Sequence, residues 1–167
     1  MNNIIIREIQ QKDNQAIAKI VRDVLMELGA PKVGTAYADP QLDFLFETYQ
    51  NPKTKYFIVE NNGTVIGGAG IAPLENEAET ICELQKMYFL PEARGLGIGS
   101  QLMEKCLDIA KSFEYEKCYL ETMPYMEAAQ KLYKKVGFEY LCEPMGNTGH
   151  TSCPVWMIKQ LIRLKNY

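Results

Sequence analysis

Apolar and polar residues follow two different periods in the first part of the chain, which predicts a strand followed by a helix. The run NIIIREI, residues 3–9, is typical of a strand. Residues 14–29 then place apolar side chains every three to four positions, the period of an amphipathic helix. We expect Asp13 to cap the start of this helix and Gly29 to end it.

A second, shorter helix is predicted over residues 39–50. Asp39 stands where a helix N-cap is expected, and Pro40 follows at the first helical position, where its missing amide proton costs least. Apolar residues then share one face of the predicted helix: Leu42, Leu45, Phe46 and Tyr49. The chain is therefore expected to begin with one strand and two helices.

Three strands are predicted next, joined as an antiparallel meander. The segments KYFIVE and TVIGGAGIAPL flank Asn62 and Gly63, a residue pair typical of a tight hairpin turn. Residues 79–90 supply the third strand, but their apolar positions do not keep one period of two. We therefore expect a β-bulge near residues 85–87, which would return the apolar side chains to one face.

The rest of the chain alternates between helices and strands. One helical stripe begins after Gly97 and a second helix ends at Gly137, with a short strand over 118–122 between them. Two last strands are predicted over 139–144 and 154–162. The predicted order of elements is β-α-α-β-β-β-α-β-α-β-β.

The size and charge of the chain narrow the classes of function. A chain of 167 residues can bury a sizeable core, and we expect residues 1–167 to form a single domain. Its 18 Lys and Arg against 21 Asp and Glu give a net charge of -3, which argues against a nucleic-acid partner. No apolar run approaches the roughly 20 residues of a membrane span, so we expect no membrane partner and a cytoplasmic location.

Cysteine and histidine usage argues against a metal centre. The 5 cysteines are widely spaced without a CxxC pair, and His150 is the single histidine. We expect reduced, mostly buried thiols and no bound metal.

The stretch RGLGIG, residues 94–99, lies between a predicted strand and a helix start. Alternate glycines cost backbone entropy, whereas the free N–H groups of a helix N-terminus attract anions. Gly95, Gly97 and Gly99 would let the backbone close on a phosphate, and Arg94 would add a charge. The spacing fits neither the GxxxxGK[ST] nor the GxGxxG motif, and a loop that only turns the chain is the alternative.

The same stretch resembles the (Q/R)xxGx(G/A) signature of the GNAT family of N-acetyltransferases, with Arg94, Gly97 and Gly99 at the defining positions. The run AAQKLYKKVGF, residues 128–138, is similar to a second family motif, and the element order agrees along almost the whole chain. The resemblance implies the GNAT fold: an α+β fold with a mixed, mostly antiparallel central sheet of about seven strands flanked by about four helices. It also implies transfer of an acetyl group from acetyl-CoA, as co-substrate, to an amine.

The resemblance further implies where acetyl-CoA is held. The pyrophosphate would lie on the glycine loop, formed by Arg94, Gly95, Leu96, Gly97, Ile98, Gly99 and Ser100. The pantetheine arm would pair like an added strand with Met87, Tyr88 and Phe89. This arm would lie between two strands splayed apart, those over 79–90 and 118–122, whose backbone groups it needs.

Direct attack of an amine on a thioester requires a proton acceptor and a proton donor but no enzyme nucleophile, so the cysteines are not needed. Tyr133 matches the family tyrosine that can protonate the CoA sulfur; its alternative role is in the core of an amphipathic helix. Glu83 is the candidate base, and its alternative is an ordinary solvent-facing strand residue or a member of a cross-strand ion pair. Glu121, His150 or a water chain could also act as the base.

The acceptor is expected to be a primary amine of a small molecule or a peptide. By analogy with the family, residues 33–49 would lie over the acceptor side, and their acids would suit a cationic amine. This segment carries Tyr37, Asp39, Asp43, Phe44 and Glu47. The alternative is an exposed helix face without a role in binding.

Catalytic competence, the acyl donor and the oligomeric state stay open on the sequence alone. The same fold could hold acyl-CoA as a catalytically silent sensor or interaction module. An enzyme of this fold could also take an acyl chain longer than acetyl. Finally, the strand over 154–162 could pair across a homodimer.

Overall fold

The computed structural model of the protein describes residues 2–162, in which seven strands and four α-helices form. The strands are β1 (Ile4–Glu8), β2 (Lys55–Asn61), β3 (Thr64–Pro73), β4 (Ile81–Phe89), β5 (Lys117–Thr122), β6 (Glu139–Tyr140) and β7 (Val155–Gln160). The helices are α1 (Asn14–Glu27), α2 (Leu45–Thr48), α3 (Ile98–Ser112) and α4 (Glu127–Val136). The predicted order of elements is confirmed. Among the described residues, no helix combines the length and apolar character needed to cross a membrane.

All strands belong to one sheet with the order β1-β2-β3-β4-β5-β7-β6. Its neighbouring strands run antiparallel except for β4 and β5, which run parallel. Side chains alternate across the sheet: in β2, Phe57 and Val59 join the core beneath α3 and α4, while Tyr56 and Ile58 join the core beneath α1. The predicted mixed α+β sheet is therefore confirmed, with apolar layers on both faces.

Helix α1 begins at Asn14, but the predicted cap by the Asp13 side chain is wrong. The Asp13 carboxylate is buried and accepts hydrogen bonds from Arg7 at 2.7 and 2.9 Å and from the Gln10 amide at 2.7 Å. Burial alone would raise the pKa of Asp13, but the Arg7 guanidinium lowers it below its ordinary value. A buried charge needs such a partner, so the carboxylate ties β1 to the turn before α1 and does not cap the helix.

The predicted helix over 39–50 is shorter than expected. A 3₁₀ turn covers Leu42–Phe44 and α2 follows as a single turn, Leu45–Thr48. Asp39 does not cap it, because its carboxylate lies 2.9 Å from Lys86 Nζ and 2.9 Å from His150 Nε2. These long-range ion pairs outweigh the local capping preference of an aspartate.

The hairpin and the bulge predicted in the meander are both confirmed. Asn62 and Gly63 have φ values of 51° and 82°, as a type I′ turn requires. Gly68 faces Tyr88, whereas Gly70 faces Gln85, so β4 carries one residue more than β3 across this interval. The extra residue bends β4 away from a regular ladder and places Lys86 at φ 49°.

Strands β4 and β5 separate after a short contact. Their parallel pairing covers three residue pairs and ends at Glu83 and Tyr119, although β4 continues to Phe89. Beyond this point β5 continues beside β7. The predicted splaying of these two strands is thus present, and the sheet opens into a gap just beyond Glu83.

The C-terminal strand does not form a free sheet edge. Strand β7 lies between β5 and β6, and β6 pairs with its residues Met157 and Ile158. The strand predicted over 139–144 is regular over Glu139–Tyr140 alone, while the Leu141 amide still bonds to the Trp156 carbonyl. Pairing of β7 across a homodimer, as the sequence suggested, would have to displace β6.

Candidate active site

The glycine loop presents backbone groups at the N-terminus of α3. Gly95 and Gly97 both have φ 75°, and a Cβ added at either would meet no atom within 4 Å. Gly97 is the N-cap of the 15-residue helix α3, whose first N–H groups have no partner within the helix. Open space, left-handed backbone and a helix N-terminus together make a surface on which an anion can be bound.

Gly99 serves a different purpose from the two glycines before it. A Cβ at Gly99 would lie 3.0 Å from Leu132 Cδ2, so its bare backbone lets α3 approach α4 closely. Ile98 is buried in the core, whereas Leu96 and Ser100 point away from it. An anion bound to the loop would therefore contact the backbone of the loop more readily than its apolar side chains.

Arg94 already has a carboxylate partner. Its guanidinium donates to both oxygens of Glu27, at 2.8 and 2.9 Å, and to the Phe89 carbonyl at 2.9 Å. Glu27 is the last residue of α1, so this fork joins the glycine loop to that helix. An anion on the loop would meet an arginine that is fixed in place but shared with Glu27.

A groove of about 300 Å³ runs from this loop into the gap between β4 and β5. It is lined mainly by apolar side chains and backbone from four places. These are Val24 and Leu28 at the end of α1, Met87, Tyr88 and Phe89 of β4, the loop residues Arg94, Gly95, Gly97, Ile98 and Gly99, and Tyr125, Met126, Leu132 and Tyr133 around α4. The groove thus brings together most of the predicted cofactor-binding residues.

A second cavity, of about 520 Å³, lies beyond the groove and is more polar. Four residues line both spaces: Met87, Tyr88, Met126 and Tyr133. Its other walls include three candidates for the base, Glu83, Glu121 and His150, with Asp39 and Lys86 beside them. A molecule in the groove and a molecule in this cavity would meet at Tyr133.

Glu83 is a buried carboxyl group on the wall of the cavity. It is 7% exposed, so the solvent-facing interpretation of this residue is wrong. Gln85 Nε2 donates to Glu83 Oε1 over 2.6 Å. Burial raises the pKa of Glu83 to about 7, and the nearby Glu121 adds to this increase while the Gln85 hydrogen bond opposes it. Such a carboxyl group can accept and release a proton near neutral pH.

The other two candidates for the base already make strong local contacts. Glu121 Oε2 accepts from the Tyr119 hydroxyl over 2.6 Å, and its Oε1 accepts from the Thr148 hydroxyl. His150 Nε2 lies 2.9 Å from both oxygens of Asp39. Of the three candidate bases, Glu83 makes the fewest hydrogen bonds to neighbouring side chains.

An ion cluster joins three distant segments at the cavity. Asp39 pairs with Lys86 of the β4 bulge and with His150 of the loop before β7. The charges of Lys86 and His150 lower the pKa of Asp39, against the opposing effect of its burial. The cluster therefore fixes the segment before α2 against the cavity wall.

Tyr133 of α4 is buried between the two spaces. Its ring contacts Phe138 edge-on, with 6.0 Å between ring centroids. Burial raises the pKa of Tyr133 to about 12, so the phenol keeps its proton at neutral pH. Tyr133 thus belongs to the core and also lines both cavities.

Comparison with known proteins identifies the family. The model of the acetyltransferase (GNAT) family matches residues 21–138. The uncharacterised N-acetyltransferase YjgM of Escherichia coli (strain K12) is 42% identical, over 96% of this chain and 100% of its own length. The chain belongs to the GNAT acetyltransferase family. The predicted family and enzyme class are confirmed.

Solved structures of other GNAT proteins share the fold of this GNAT acetyltransferase. An acetyltransferase from Staphylococcus aureus Mu50 has a TM-score of 0.85 and 21% identity, and the match covers 96% of this chain and 100% of that one. A phosphinothricin acetyltransferase from Sinorhizobium meliloti, solved in complex with AcCoA, has a TM-score of 0.76 and 19% identity. That match covers 94% of this chain and 88% of the other. These two similarities show that the present chain has the same fold as those proteins.

Most of the residues predicted to bind a cationic acceptor lie elsewhere in this GNAT acetyltransferase. Asp43 pairs with Arg22 at 2.7 Å, and Glu47 accepts from Gln11 and Asn14. Of the acids predicted in this segment, Asp39 is the one that lines the cavity. The carboxylates of Asp43 and Glu47 instead hold the N-terminal helices together.

The cavity residues that sequence reasoning missed include Tyr49, Gln85 and Lys86. The predicted bulge was a signal for the last two, since bulges re-aim side chains, but it did not say where they point. Four of the cysteines are buried, Cys142 is exposed and all are free, in agreement with the predicted reduced thiols. Within residues 2–162, no group of three His, Cys, Asp or Glu side chains could hold a metal ion.

Proposed function

We propose that this GNAT acetyltransferase transfers an acetyl group from acetyl-CoA directly to a primary amine of a small molecule or a peptide, with both substrates bound. The observation that carries the proposal is the meeting of the groove and the cavity at Met87, Tyr88 and Tyr133. Two connected spaces suit two substrates that react with each other without a covalent enzyme intermediate.

The groove suits acetyl-CoA in the chemistry of its lining. The free N–H groups at Gly97 and the start of α3 would bind the pyrophosphate, with Arg94 close by. The backbone of 87–89, where β4 has left β5, would pair with the amide groups of the pantetheine arm. This path would bring the thioester to Tyr133, at the entrance to the cavity.

Glu83 and Tyr133 would manage the protons of the reaction. A cationic amine first loses one proton to solvent. The neutral nitrogen then attacks the thioester carbonyl carbon, so that a C–N bond forms, the C–S bond breaks and the nitrogen loses one further proton. Glu83, with a pKa of about 7, accepts the proton that the nitrogen loses. Tyr133, whose phenol keeps its proton at neutral pH, gives that proton to the departing CoA thiolate.

The cavity supports a small or slender acceptor. Its volume of about 520 Å³ accommodates a small molecule or the end of a peptide. The carboxyl groups of Glu83 and Glu121 face it and would attract a cationic amine. Because Lys86 is paired with Asp39, its positive charge would oppose this attraction only weakly.

The proposal is tested by amine-dependent release of free CoA from acetyl-CoA, after calorimetry has established that acetyl-CoA binds. We expect Tyr133→Phe to lower kcat by about 100-fold while the Kd for acetyl-CoA changes less than twofold. Tyr115→Phe is the matched control, because it removes a buried hydroxyl that bonds to the Lys53 carbonyl over 2.8 Å, and Tyr115 lines neither cavity.

The outcomes separate the enzyme from a silent acyl-CoA sensor. Binding of acetyl-CoA without CoA release from any of a panel of polyamines, amino acids and short peptides would favour the sensor. Unchanged turnover in Tyr133→Phe would remove this tyrosine from the mechanism while leaving the transfer reaction in place.

A further inference from the structure

A chain of side-chain hydrogen bonds leads from the end of α2 to Glu83. The Tyr49 hydroxyl donates to Gln85 Oε1 over 2.5 Å, and Gln85 Nε2 donates to Glu83 Oε1 over 2.6 Å. Tyr49 is 5% exposed, and its ring lies 5.1 Å from the ring of Tyr56. The proton transfers described above involve neither Tyr49 nor Gln85, yet both line the same cavity as Glu83.

The direction of this chain favours one protonation form of Glu83. A glutamine amide offers an acceptor at one end and a donor at the other, and the two ends have nearly the same shape. Because Tyr49 donates to the oxygen end of Gln85, the NH₂ end is turned toward Glu83. An N–H donor stabilises an ionised carboxylate, whereas the reversed amide would stabilise a protonated carboxyl group.

We propose that Gln85, oriented by Tyr49, is a positioning residue that holds the Glu83 carboxylate in its proton-accepting form and aims it into the acceptor cavity. The inference rests on the proposed function, in which Glu83 is the base. Gln85 touches neither the acceptor amine nor the thioester in this proposal. It acts through Glu83.

The other charged and titratable groups near Glu83 have partners of their own. Glu121 accepts from Tyr119 and Thr148 on the β5 side. Lys86 and His150, which favour the ionised carboxylate, are paired with Asp39. The titratable groups that interact with Glu83 from the surrounding elements are Tyr49, Lys86, Cys118, Tyr119, Glu121, His150 and Cys153. The hydrogen bond from Gln85 is therefore the direct contact through which the carboxylate is oriented.

The test is a direct titration of Glu83 in Gln85→Met, which keeps the side-chain length but cannot donate a hydrogen bond. The glutamate side-chain carboxyl carbons are labelled with ¹³C, and Glu83→Gln identifies the signal of Glu83. We expect its titration midpoint to rise by about one pH unit in Gln85→Met. We expect a smaller rise in Tyr49→Phe, where the amide is free to reverse, and none in the control Tyr115→Phe.

The pH dependence of turnover supplies a second, independent reading. With a midpoint one unit higher, Gln85→Met should show about fivefold lower kcat/KM for the amine at pH 7 and about equal kcat/KM at pH 9. Recovery at high pH distinguishes a displaced proton equilibrium from general damage to the cavity. A deficit that is the same at all pH values, together with an unchanged titration of Glu83, would overturn the inference.

The two readings separate failure of this inference from failure of the proposed function. An unchanged Glu83 titration in both Gln85→Met and Tyr49→Phe overturns the inference, whatever the activity. A raised titration midpoint without a matching change in the acid limb of kcat/KM supports the action of Gln85 on Glu83. That same result would show that Glu83 is not the base. If Gln85→Met fails to fold, Tyr49→Phe carries the test, since it removes a single oxygen atom.

Discussion

The groove and the cavity are adjacent, yet they are built in opposite ways. The groove relies on backbone: its glycine loop and the strand before it come from one continuous stretch, residues 87–99. The cavity relies on side chains from segments far apart in sequence, such as Asp39 and His150, which are 111 positions apart. A site formed by backbone groups can be recognised in the sequence from the spacing of its glycines. A site formed by side chains from distant segments has no such pattern in the sequence.

Because the groove and the cavity are built differently, substitutions in them should affect different properties of the enzyme. The groove is bounded by a helix N-terminus and a strand, so its anion site depends on the fold itself. The cavity depends on an ion cluster and a few hydrogen bonds that single substitutions can alter. We therefore expect substitutions in the cavity to affect acceptor chemistry and those in the loop to affect acetyl-CoA binding.

The largest expected effect is on turnover, in Glu83→Gln. Loss of the base should lower kcat/KM for the amine by about 100- to 1,000-fold, because proton removal at the nitrogen would fall to solvent. The Kd for acetyl-CoA should stay within twofold, since Glu83 does not line the groove. Steady-state kinetics and calorimetry measure the two quantities. Equal losses in both would mean that the two spaces are not separate in function.

The same substitution should reveal a pH-dependent cost in stability. The pKa of Glu83 is about 7 in the folded protein, against roughly 4.3 in an unfolded chain, so the folded state binds the proton more tightly. This stabilisation is complete below pH 4 and is lost as the pH rises through 7. Relative to wild type, Glu83→Gln should therefore gain about 3–4 kcal/mol in free energy of unfolding between pH 4 and pH 9. Urea denaturation at several pH values tests this, and a constant difference would contradict it.

A smaller effect is expected from Gly97→Ala in the loop. The left-handed φ of 75° should cost about 1 kcal/mol of stability for any residue with a Cβ. Gly63→Ala is the matched control, because Gly63 also has positive φ, at 82°, and open surroundings. Both variants should lose similar stability, but Gly97→Ala alone should weaken acetyl-CoA binding, by about five- to tenfold. Equal affinities in the two variants would favour a loop that only turns the chain.

The smallest effect is expected from Asp43→Asn. Asp43 is more than half exposed and pairs with Arg22, so its loss should change stability by less than about 1 kcal/mol. The KM for the amine should not change, since Asp43 does not line the cavity. A clear rise in KM would restore the sequence-based hypothesis that this helix face binds the acceptor.

The fold was largely predictable because its signals are local. Asn62 and Gly63 define a hairpin through their backbone preferences, and the broken period of two in β4 indicated the bulge. For Asp39, in contrast, local sequence signals give the wrong structural role. By local rules it is a helix cap, but two cations brought close by the tertiary structure take its carboxylate. The buried state of Glu83 likewise depends on which strands surround it, and residue spacing does not encode that.

The brief contact between β4 and β5 has a mechanical consequence. The sheet consists of a four-stranded part, β1 to β4, and a three-stranded part, β5, β7 and β6. The two parts are joined by three residue pairs between β4 and β5. Beyond Glu83 and Tyr119, β4 and β5 form no hydrogen bonds with each other. An extended molecule bound in the gap would hydrogen-bond to the backbone of both strands there and so connect the two parts of the sheet. The sheet would then be most continuous while the cofactor is bound, and least continuous after it leaves. In the proposed mode of binding, acetyl-CoA would act as an eighth strand that is replaced in every catalytic cycle.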